Sequence, residues 1–238
     1  MSEWRELGAK YKAQNILEVC AGRTFSKAME YGAGEGSILN ALDASDTFAS
    51  LYAVEISDSG IARIQGRNIR KLKEVRKFDG YNVPFQDKEF PLAYCAHVIE
   101  HVEYPRTLLR EIRRISDLQV FEIPLDYTPT VDESSAHYLA YGHINVWTPS
   151  LFKFLLKSEG FEILSERYTN MTPDVIRFNA YRNMKKPKTL ITEAGIAAIP
   201  LRNAVKKLVY GKRRYKENGY SAYTCLTRAT GELKIFSP

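Results

Sequence analysis

The chain has 238 residues, of which 45% are hydrophobic and 26% charged, and its formal net charge is +6. This composition fits one globular α/β domain and excludes a disordered or collagen-like chain. No run of about 18 apolar residues occurs, so no transmembrane helix is expected, and the mixed charge at the N-terminus does not resemble a secretory signal. The three cysteines are widely spaced and indicate neither a disulfide framework nor a CxxC metal site, which favours a cytoplasmic location.

Hydrophobic spacing predicts helices and strands that alternate along most of the chain. In chain order we expect a helix at 4–20, a strand at 27–31, a helix at 37–45, a strand at 51–56, a helix at 59–69, strands at 74–80 and 91–99, a helix at 104–115, a strand at 119–125, a helix at 148–161 and strands at 162–170 and 221–229. This alternation predicts βαβ units and a parallel sheet with helices on both faces. In such sheets, ligands bind beyond the C-terminal ends of the strands.

A glycine-rich stretch follows the first predicted strand and has the form Glu30-x-Gly32-x-Gly34-x-Gly36. A dinucleotide fingerprint that starts at Gly32 would need glycine or alanine where Ser37 stands, and no Gly-Lys-Ser/Thr of a P-loop follows. The stretch therefore indicates a loop whose backbone closely approaches a ligand that carries little phosphate. The acid before the loop suits a cationic ammonium group or an ordered loop amide.

Four motifs in the correct order together resemble the class I S-adenosylmethionine (SAM)-dependent methyltransferases. The glycine loop is the first, and Glu55 at the end of the second strand lies nineteen residues beyond Gly36. Asp79-Gly80 with the following NVPFQDKEF is the third, and the segment 91–115 is similar to the family's fourth strand and following helix. The resemblance covers about residues 25–170.

The resemblance implies a single domain over residues 1–238 that takes SAM as its cofactor. Its fold would be a doubly wound, Rossmann-like α/β fold with a mostly parallel seven-stranded sheet, an antiparallel last strand and a basic helical insertion before that strand.

The same resemblance assigns roles to residues around the cofactor. Glu55 would accept hydrogen bonds from both ribose hydroxyls, Asp79 would accept one from the adenine amino group, and Ile56 would form a wall against the adenine. His97 would border the methionine end. The full cofactor-binding set is Glu30, Tyr31, Gly32, Gly34, Gly36, Glu55, Ile56, Asp79, Gly80 and His97. Several of them have a purely structural alternative: a tight turn for Gly32, Gly34 and Gly36, a solvated acid for Glu55, plain core packing for Ile56, a turn cap for Asp79 and strand-end packing for His97.

Two histidines are the predicted catalytic residues. An acceptor hydroxyl keeps its proton at neutral pH, and histidine, with an ordinary pKa near 6.5, is the natural general base. His143 lies in the loop before the helix at 148–161, and His101 follows the fourth strand. The spacing of His97, Glu100 and His101 does not form a known ligand set, so no metal site is expected.

The acceptor class is indicated by what stands after the fourth and fifth strands. Residues 96–99 lack the Asn/Asp-Pro-Pro-aromatic motif of methyltransferases that act on exocyclic amines of nucleic acid. Cytosine C5 methyltransferases use a Pro-Cys nucleophile, whereas Tyr94 precedes Cys95 here. Both base-directed classes therefore lose support. The Gly-His-Ile-Asn stretch starting at Gly142 resembles methyltransferases of surface-polysaccharide and glycan pathways. We expect a small hydroxyl-bearing acceptor, a sugar or glycan precursor. An RNA methyltransferase and a non-catalytic SAM-binding module stay open as alternatives.

The segment 172–219 is predicted to be a basic helical insertion or lid between the last two strands. Its part from 182 to 216 carries a net charge of +10 and leaves −4 for the rest of the chain. An apolar stripe at helical spacing lies inside it, formed by Leu201, Val205, Leu208 and Val209. Four interpretations stay open: a helix docked on the domain, a lid for a phosphate-bearing acceptor, contact with an anionic membrane, or RNA binding. The sequence indicates no oligomeric state.

Overall fold

The computed structural model of the protein describes residues 3–230. Within them seven strands form one sheet, β1 (Ala28–Tyr31), β2 (Leu51–Glu55), β3 (Leu72–Lys77), β4 (Phe90–Ala96), β5 (Ser116–Pro124), β6 (Phe161–Thr169) and β7 (Ala222–Ala229). Their order across the sheet is β3-β2-β1-β4-β5-β7-β6. The first five strands are parallel, and β7 runs antiparallel between β5 and β6. The predicted doubly wound, mostly parallel sheet is confirmed.

The helices of the same region are α1 (Glu3–Val19), α2 (Ser37–Leu42), α3 (Asp58–Gln65), α4 (Pro105–Ile115), α5 (Ser135–Ala140), α6 (Pro149–Ser158), α7 (Pro173–Phe178), α8 (Leu190–Ala197) and α9 (Ile199–Asn218). None of the helices that the structure describes is long and apolar enough to cross a lipid bilayer.

Two hydrophobic cores cover the two faces of the sheet. On one face, Ile16 of α1, Leu39 of α2 and Ile64 of α3 are fully buried in one cluster. On the other face, Ile112 of α4 and Phe152 of α6 are fully buried in a second cluster. Since each cluster draws on helices from one side only, the sheet is a central layer between two helical layers.

Helices α4 and α6 form where the sequence places their start signals. Pro105 and Pro149 occupy first-turn positions, where the missing N–H costs no helical hydrogen bond. The side chain of Thr148 accepts a bond of 3.2 Å from the N–H of Leu151 and so caps α6. Gly160 follows α6 with φ of 78°, a left-handed conformation that ends the helix at small steric cost.

The region between β5 and α6 has structure that hydrophobic spacing does not indicate. A 3₁₀ turn at 131–134 and helix α5 lie between β5 and α6, and no residue of either is buried, so neither segment shows an apolar face in the sequence. Between β6 and β7, helices α7, α8 and α9 leave the sheet and return to it. The apolar stripe of α9 faces solvent, with Leu208 85% exposed and Val209 71% exposed. The C-terminal part of the same helix contacts the domain: Tyr215 is buried, and Glu217 accepts a hydrogen bond of 2.5 Å from the hydroxyl of Ser150 on α6.

Candidate functional site

The glycine loop after β1 is a left-handed turn that presents open backbone. Gly32, Gly34 and Gly36 have φ of 72°, 57° and 75°, which favour glycine strongly. A Cβ atom on Gly32 would lie 2.9 Å from Val98, and one on Gly36 would lie 2.9 Å from Ile64. A Cβ atom on Gly34 would meet nothing within 4 Å. The loop is therefore packed against protein at both ends and open in the middle, as a cradle for a ligand requires.

Glu55 ends β2 beside this loop and orders it. Its carboxylate accepts hydrogen bonds from the N–H of Gly34 at 2.8 Å, from the N–H of Ser57 at 3.0 Å and from the Ser57 hydroxyl at 2.7 Å. A carboxylate offers about four acceptor positions, so one remains after these three bonds. Gly60 supports the arrangement, because a Cβ there would lie 2.6 Å from the carbonyl oxygen of Gly34.

The turn after β3 lies opposite Ile56. Asp79 accepts hydrogen bonds from the N–H groups of Tyr81 at 2.8 Å and Asn82 at 2.7 Å, and these bonds lower the pKa of its carboxyl to about 2. Asp79 is thus a turn cap in the structure, and its charge at neutral pH is fixed. Ile56 is 57% exposed and lies 3.9 Å from the position of a Cβ on Gly80. An exposed aliphatic side chain at a strand end is a suitable surface for a flat apolar ring.

Tyr31 does not line this surface, although it belongs to the predicted cofactor-binding set. Its side chain is only 1% exposed and contacts Phe78 edge-on, with ring centroids 5.0 Å apart. Its hydroxyl donates a hydrogen bond of 2.6 Å to the carbonyl oxygen of Gly80. Tyr31 therefore positions the turn after β3 from inside the core and has no exposed surface for a ligand.

Glu30 is buried below the glycine loop and is not a fixed anion. Burial raises the pKa of its carboxyl from 4.5 to about 8, opposed by the Tyr94 hydroxyl, which donates a bond of 3.2 Å, and by the nearby Lys12. Lys12 comes from α1, and the carboxylates of Glu122, Glu100 and Glu30 act on its pKa against the lowering by burial. Lys12 makes no hydrogen bond or ion pair with any part of the chain that the structure describes, so its ammonium group is available to an anionic ligand.

The raised pKa of Glu30 predicts a specific pH dependence of stability. Between about pH 4.5 and 8 the folded chain keeps this proton and the unfolded chain releases it, so the free energy of unfolding falls as pH rises. The free energy of unfolding, measured with urea on the apo protein, should therefore be lower at pH 8 than at pH 5. We expect this difference to be roughly 1–3 kcal/mol smaller in Glu30→Gln than in the wild type. Glu162→Gln, which changes an exposed residue of β6, is the matched control and should keep the wild-type dependence of unfolding free energy on pH. The same wild-type dependence in Glu30→Gln would contradict the assignment.

His97 directly follows β4 in a left-handed backbone conformation. Its φ of 56° is uncommon for a residue with a side chain, and its N–H donates a 2.9 Å bond to the carbonyl oxygen of Glu122 on β5. The ring nitrogen Nε2 lies 3.3 Å from the Glu122 carboxylate, and Nδ1 lies 3.5 Å from the carboxylate of Glu100. Burial and Lys12 lower the pKa of His97, which favours the neutral ring.

His101 and His143 come from different loops and meet at one point, with ring centroids 4.9 Å apart. The loop that carries His143 is held by the N–H groups of Ile144 and Asn145, which both donate 3.0 Å bonds to the carbonyl oxygen of Glu100. His143 Nδ1 lies 2.6 Å from the carboxylate of Asp126. His101 Nδ1 lies 2.9 Å from the carbonyl oxygen of Gly142.

Glu100 lies between the two histidines and His97. Its side chain is fully buried, and neither carboxylate oxygen accepts a hydrogen bond from the residues that the structure describes. Burial raises the pKa of this carboxyl to about 8. One ligating atom from each of Glu100, His101 and His143 lies within 4.8 Å of the other two.

Sequence reasoning missed several residues of this site. Lys12 lies on a helix before the first motif, and no local pattern marks it. Glu122 and Asp126 had a signal, since they stand at and just beyond the C-terminal end of β5, the edge where ligands bind in such sheets. Gly60 had a weaker sequence signal: a glycine inside a predicted helix often marks a close packing contact.

Comparison with known proteins agrees with this geometry. Residues 29–117 match the model of a family described as a methyltransferase domain. YrhH of Bacillus subtilis (strain 168), whose name assigns it to the methyltransferases, is 24% identical over 119 residues, or 47% of this chain and 66% of YrhH. The chain thus spans about two thirds of the length of this curated relative.

Solved structures share the fold at low sequence identity. The complex of the Haloferax volcanii Trm112 methyltransferase activator with a methyltransferase contains a chain with a TM-score of 0.65 at 12% identity, covering 95% of this chain and 94% of that one. A SAM-dependent methyltransferase from Archaeoglobus fulgidus has a TM-score of 0.58 at 19% identity, covering 94% of each chain. Phosphoethanolamine N-methyltransferase 2 of Haemonchus contortus, solved with S-adenosylhomocysteine (SAH), has a TM-score of 0.61 at 12% identity, covering 92% of this chain and 52% of that one. Residues 29–117 are a SAM-dependent methyltransferase domain, and SAM is its cofactor.

Proposed function

We propose that this chain, which carries a SAM-dependent methyltransferase domain, transfers a methyl group to a hydroxyl of a small acceptor, a sugar or glycan precursor. One observation carries the choice of a hydroxyl: His101 and His143 converge beside the glycine loop's edge of the sheet, and the carboxylate of Asp126 orients His143. A neutral amine or a thiolate attacks a methyl donor without help, whereas a hydroxyl needs a group that handles its proton.

The residues present fit the cofactor. The open backbone at Gly34 leaves room for an adenosyl group, and the free acceptor position of Glu55 suits a ribose hydroxyl. Ile56 offers an exposed apolar surface to the adenine. Lys12 would hold the carboxylate of the methionine portion. SAM, when bound, supplies a methyl group that is activated by a positively charged sulfur.

The chain's own residues bind, orient and handle the proton. The carboxylate of Asp126 can only accept a hydrogen bond, so Nδ1 of His143 carries the proton and Nε2 carries the lone pair. Burial and the neighbouring His143 lower the pKa of His101, which keeps this ring neutral near pH 7. Holding the acceptor in line with the methyl group can itself contribute roughly 7–11 kcal/mol.

The glycan class rests on the Gly-His-Ile-Asn resemblance and on the charge of the late helices. A phosphate-bearing acceptor, such as a nucleotide-linked or lipid-linked sugar, would complement the +10 segment at 182–216. Cys20, Cys95 and Cys225 are free and buried, which supports a reducing, cytoplasmic location. The same charge supports RNA as a rival acceptor, because clustered cations supply sequence-independent affinity for nucleic acid.

Incubation of the full chain with methyl-labelled SAM and fractionated metabolites, glycans and RNA tests the proposal. We expect label in the sugar or glycan fractions, in an ether that resists the base treatment that cleaves methyl esters. Label confined to RNA would contradict the acceptor class. Normal SAH binding without label in any fraction would leave a SAM-binding module.

A further inference from the structure

We propose that Glu100, His101 and His143 bind one divalent transition-metal cation in the acceptor pocket. The proposal rests on the proposed methyl transfer and deepens it, because it specifies how the two histidines act on the acceptor. The three residues come from the turn after β4 and the loop before α6, and their ligating atoms lie within 4.8 Å of one another. His143 is separated from His101 by 42 positions in the sequence.

The hydrogen bonds at Nδ1 of His101 and His143 determine which nitrogen of each ring carries the proton. A carbonyl oxygen and a carboxylate only accept, so Nδ1 carries the proton in His101, beside Gly142, and in His143, beside Asp126. In the neutral rings, both Nε2 atoms therefore carry lone pairs. Together with the Glu100 carboxylate, they form a group of acceptors that a cation would satisfy.

Glu100 supplies the independent observation. A fully buried carboxylate without a hydrogen bond is costly, and neither oxygen of Glu100 accepts one from the residues that the structure describes. The nearest ring nitrogens are His97 Nδ1 at 3.5 Å and His101 Nε2 at 3.8 Å. A general base would use the two rings and leave both Glu100 oxygens without a partner, whereas a bound cation gives the carboxylate a ligand to coordinate.

The scaffold around the three residues matches what metal sites require. Histidine ligands almost always donate the other ring N–H to a carboxylate or a backbone carbonyl, which sets the tautomer and the ring orientation. Asp126 and Gly142 occupy these two positions. The carbonyl oxygen of Glu100 accepts from Ile144 and Asn145 and ties the loop of His143 to the backbone of Glu100 itself. All three ligands are thus held by one connected backbone unit.

The donor set indicates which cation is bound. Two imidazole nitrogens and one carboxylate suit Zn²⁺, Mn²⁺ or Fe²⁺, whereas Mg²⁺ and Ca²⁺ prefer oxygen ligands alone. Bonds of about 2.0–2.2 Å place ligands roughly 3.3 Å apart, so the cluster closes by about 1–1.5 Å on binding. Three protein ligands leave at least one coordination position open, as in catalytic zinc sites.

The open position takes the acceptor hydroxyl. Coordination lowers the pKa of the hydroxyl, as it does for metal-bound water, and the proton leaves to solvent. The oxygen then forms the new O–CH₃ bond while the S–CH₃ bond breaks, and that electron pair returns to sulfur, leaving SAH. No oxidant or reductant is needed.

Direct metal counting tests the site without relying on turnover. Purified full-length chain is stripped with a chelator, dialysed separately against micromolar Zn²⁺, Mn²⁺ or Mg²⁺, and its bound metal is counted by mass spectrometry. We expect one equivalent of Zn²⁺ or Mn²⁺ in the wild type, and a loss of at least about tenfold in affinity for His143→Ala and for the isosteric Glu100→Gln. His137→Ala replaces a histidine of α5 outside the cluster and should keep the full equivalent.

SAH calorimetry on the same samples separates the two levels of the proposal. Normal SAH binding without stoichiometric Zn²⁺ or Mn²⁺ in the wild type would overturn the metal site and leave the methyltransferase intact. Full metal binding by both His143→Ala and Glu100→Gln would also overturn the assignment. Thermal melts of the variants identify any that fail to fold, and the isosteric Glu100→Gln then decides.

A second, independent observation concerns the N-terminal part of α9, residues 199–210. We propose that this part lies on an anionic lipid surface. Four apolar side chains at helical spacing face solvent, Leu201 (69% exposed), Val205 (51%), Leu208 (85%) and Val209 (71%). Exposed apolar patches mark interaction sites, and Leu190 and Ile191 of α8, the helix before α9, are 90% and 85% exposed as well.

The charges next to this stripe select the partner. The exposed basic residues of this part of α9 are Arg202, Lys206 and Lys207. Lys212, Arg213 and Arg214 are also exposed but lie beyond a kink at Gly211. A helix with an apolar face and a cationic border is typical of interfacial membrane binding, where the aliphatic side chains enter the acyl boundary and the cations meet anionic headgroups. RNA would use the cations and leave the aliphatic stripe in water, so the lipid surface explains both features.

Vesicle co-sedimentation of the full chain tests this surface. We expect binding to vesicles of phosphatidylglycerol and phosphatidylcholine, little binding to phosphatidylcholine alone, and at least about tenfold weaker binding for Leu208→Gln/Val209→Gln. Phe154→Gln, which removes an exposed apolar side chain of α6 (68% exposed), is the matched control and should bind as the wild type does. Equal binding of the double variant, or binding to RNA without binding to anionic vesicles, would overturn the assignment.

Discussion

Replacing Glu55 with alanine is expected to weaken SAH binding by about 100-fold, measured by calorimetry on the apo protein. Charge-assisted hydrogen bonds contribute roughly 1.5–3 kcal/mol each, and about 1.4 kcal/mol corresponds to a factor of ten in affinity. Loss of one such contact to a ribose hydroxyl, at the upper end of this range, therefore accounts for a change of this size. The melting temperature should fall as well, because Glu55 also orders Gly34 and Ser57.

Ser57→Ala separates these two effects. Ser57 donates to Glu55 and caps α3 through the N–H of Gly60 at 3.1 Å, so its loss loosens the same loop at a cost of about 1 kcal/mol. The Ser57→Ala variant keeps the Glu55 carboxylate, which can still accept a hydrogen bond from a ligand. If Ser57→Ala weakens SAH binding as much as Glu55→Ala does, Glu55 acts through loop order and the ribose assignment fails.

Replacing His143 with alanine is expected to lower turnover by roughly 10²–10⁴-fold at saturating SAM while SAH affinity stays near the wild-type value. His143 lies on the acceptor side, held by Asp126, and it does not belong to the glycine loop or the Glu55 end of the site. We expect Asp126→Asn to lower turnover in the same direction, since an amide can leave the ring in the wrong tautomer.

His137→Ala is the control for this variant. His137 belongs to the neighbouring helix α5 and stacks edge-on against Tyr141 at 5.0 Å between ring centroids, so its loss perturbs the same loop region without touching the cluster. Turnover of His143→Ala within about tenfold of the His137→Ala value would exclude His143 from acceptor activation.

The sheet and the left-handed turn after β1 follow from the sequence because their signals are local. The alternating apolar runs predict each strand found within residues 3–230, and the three glycines stand where the structure has left-handed backbone. The caps at Thr148 and Gly160 likewise lie within their own segment.

The acceptor side does not follow from local patterns, because its residues come together only through topology. The spacing of His97, Glu100 and His101 does not predict a metal site. His143 lies on the connection after β5, and only folding brings it close to Glu100 and His101. Lys12 reaches the site from a helix that precedes the first motif. Tyr31 illustrates the opposite error, since adjacency to the loop in sequence does not show on which face of a strand a side chain lies.

The direction of the last strands determines where helices α7–α9 are inserted into the fold. Because β7 is antiparallel to both of its neighbours, β6 runs in the same direction as β5 and ends at Thr169, paired with Ala222 at the start of β7. Helices α7–α9 are therefore grafted onto the rim that also holds the glycine loop, between two anchor points that are already hydrogen-bonded to each other. The length and charge of this insertion can therefore change without breaking the pairing of β6 with β7 that holds the edge of the sheet.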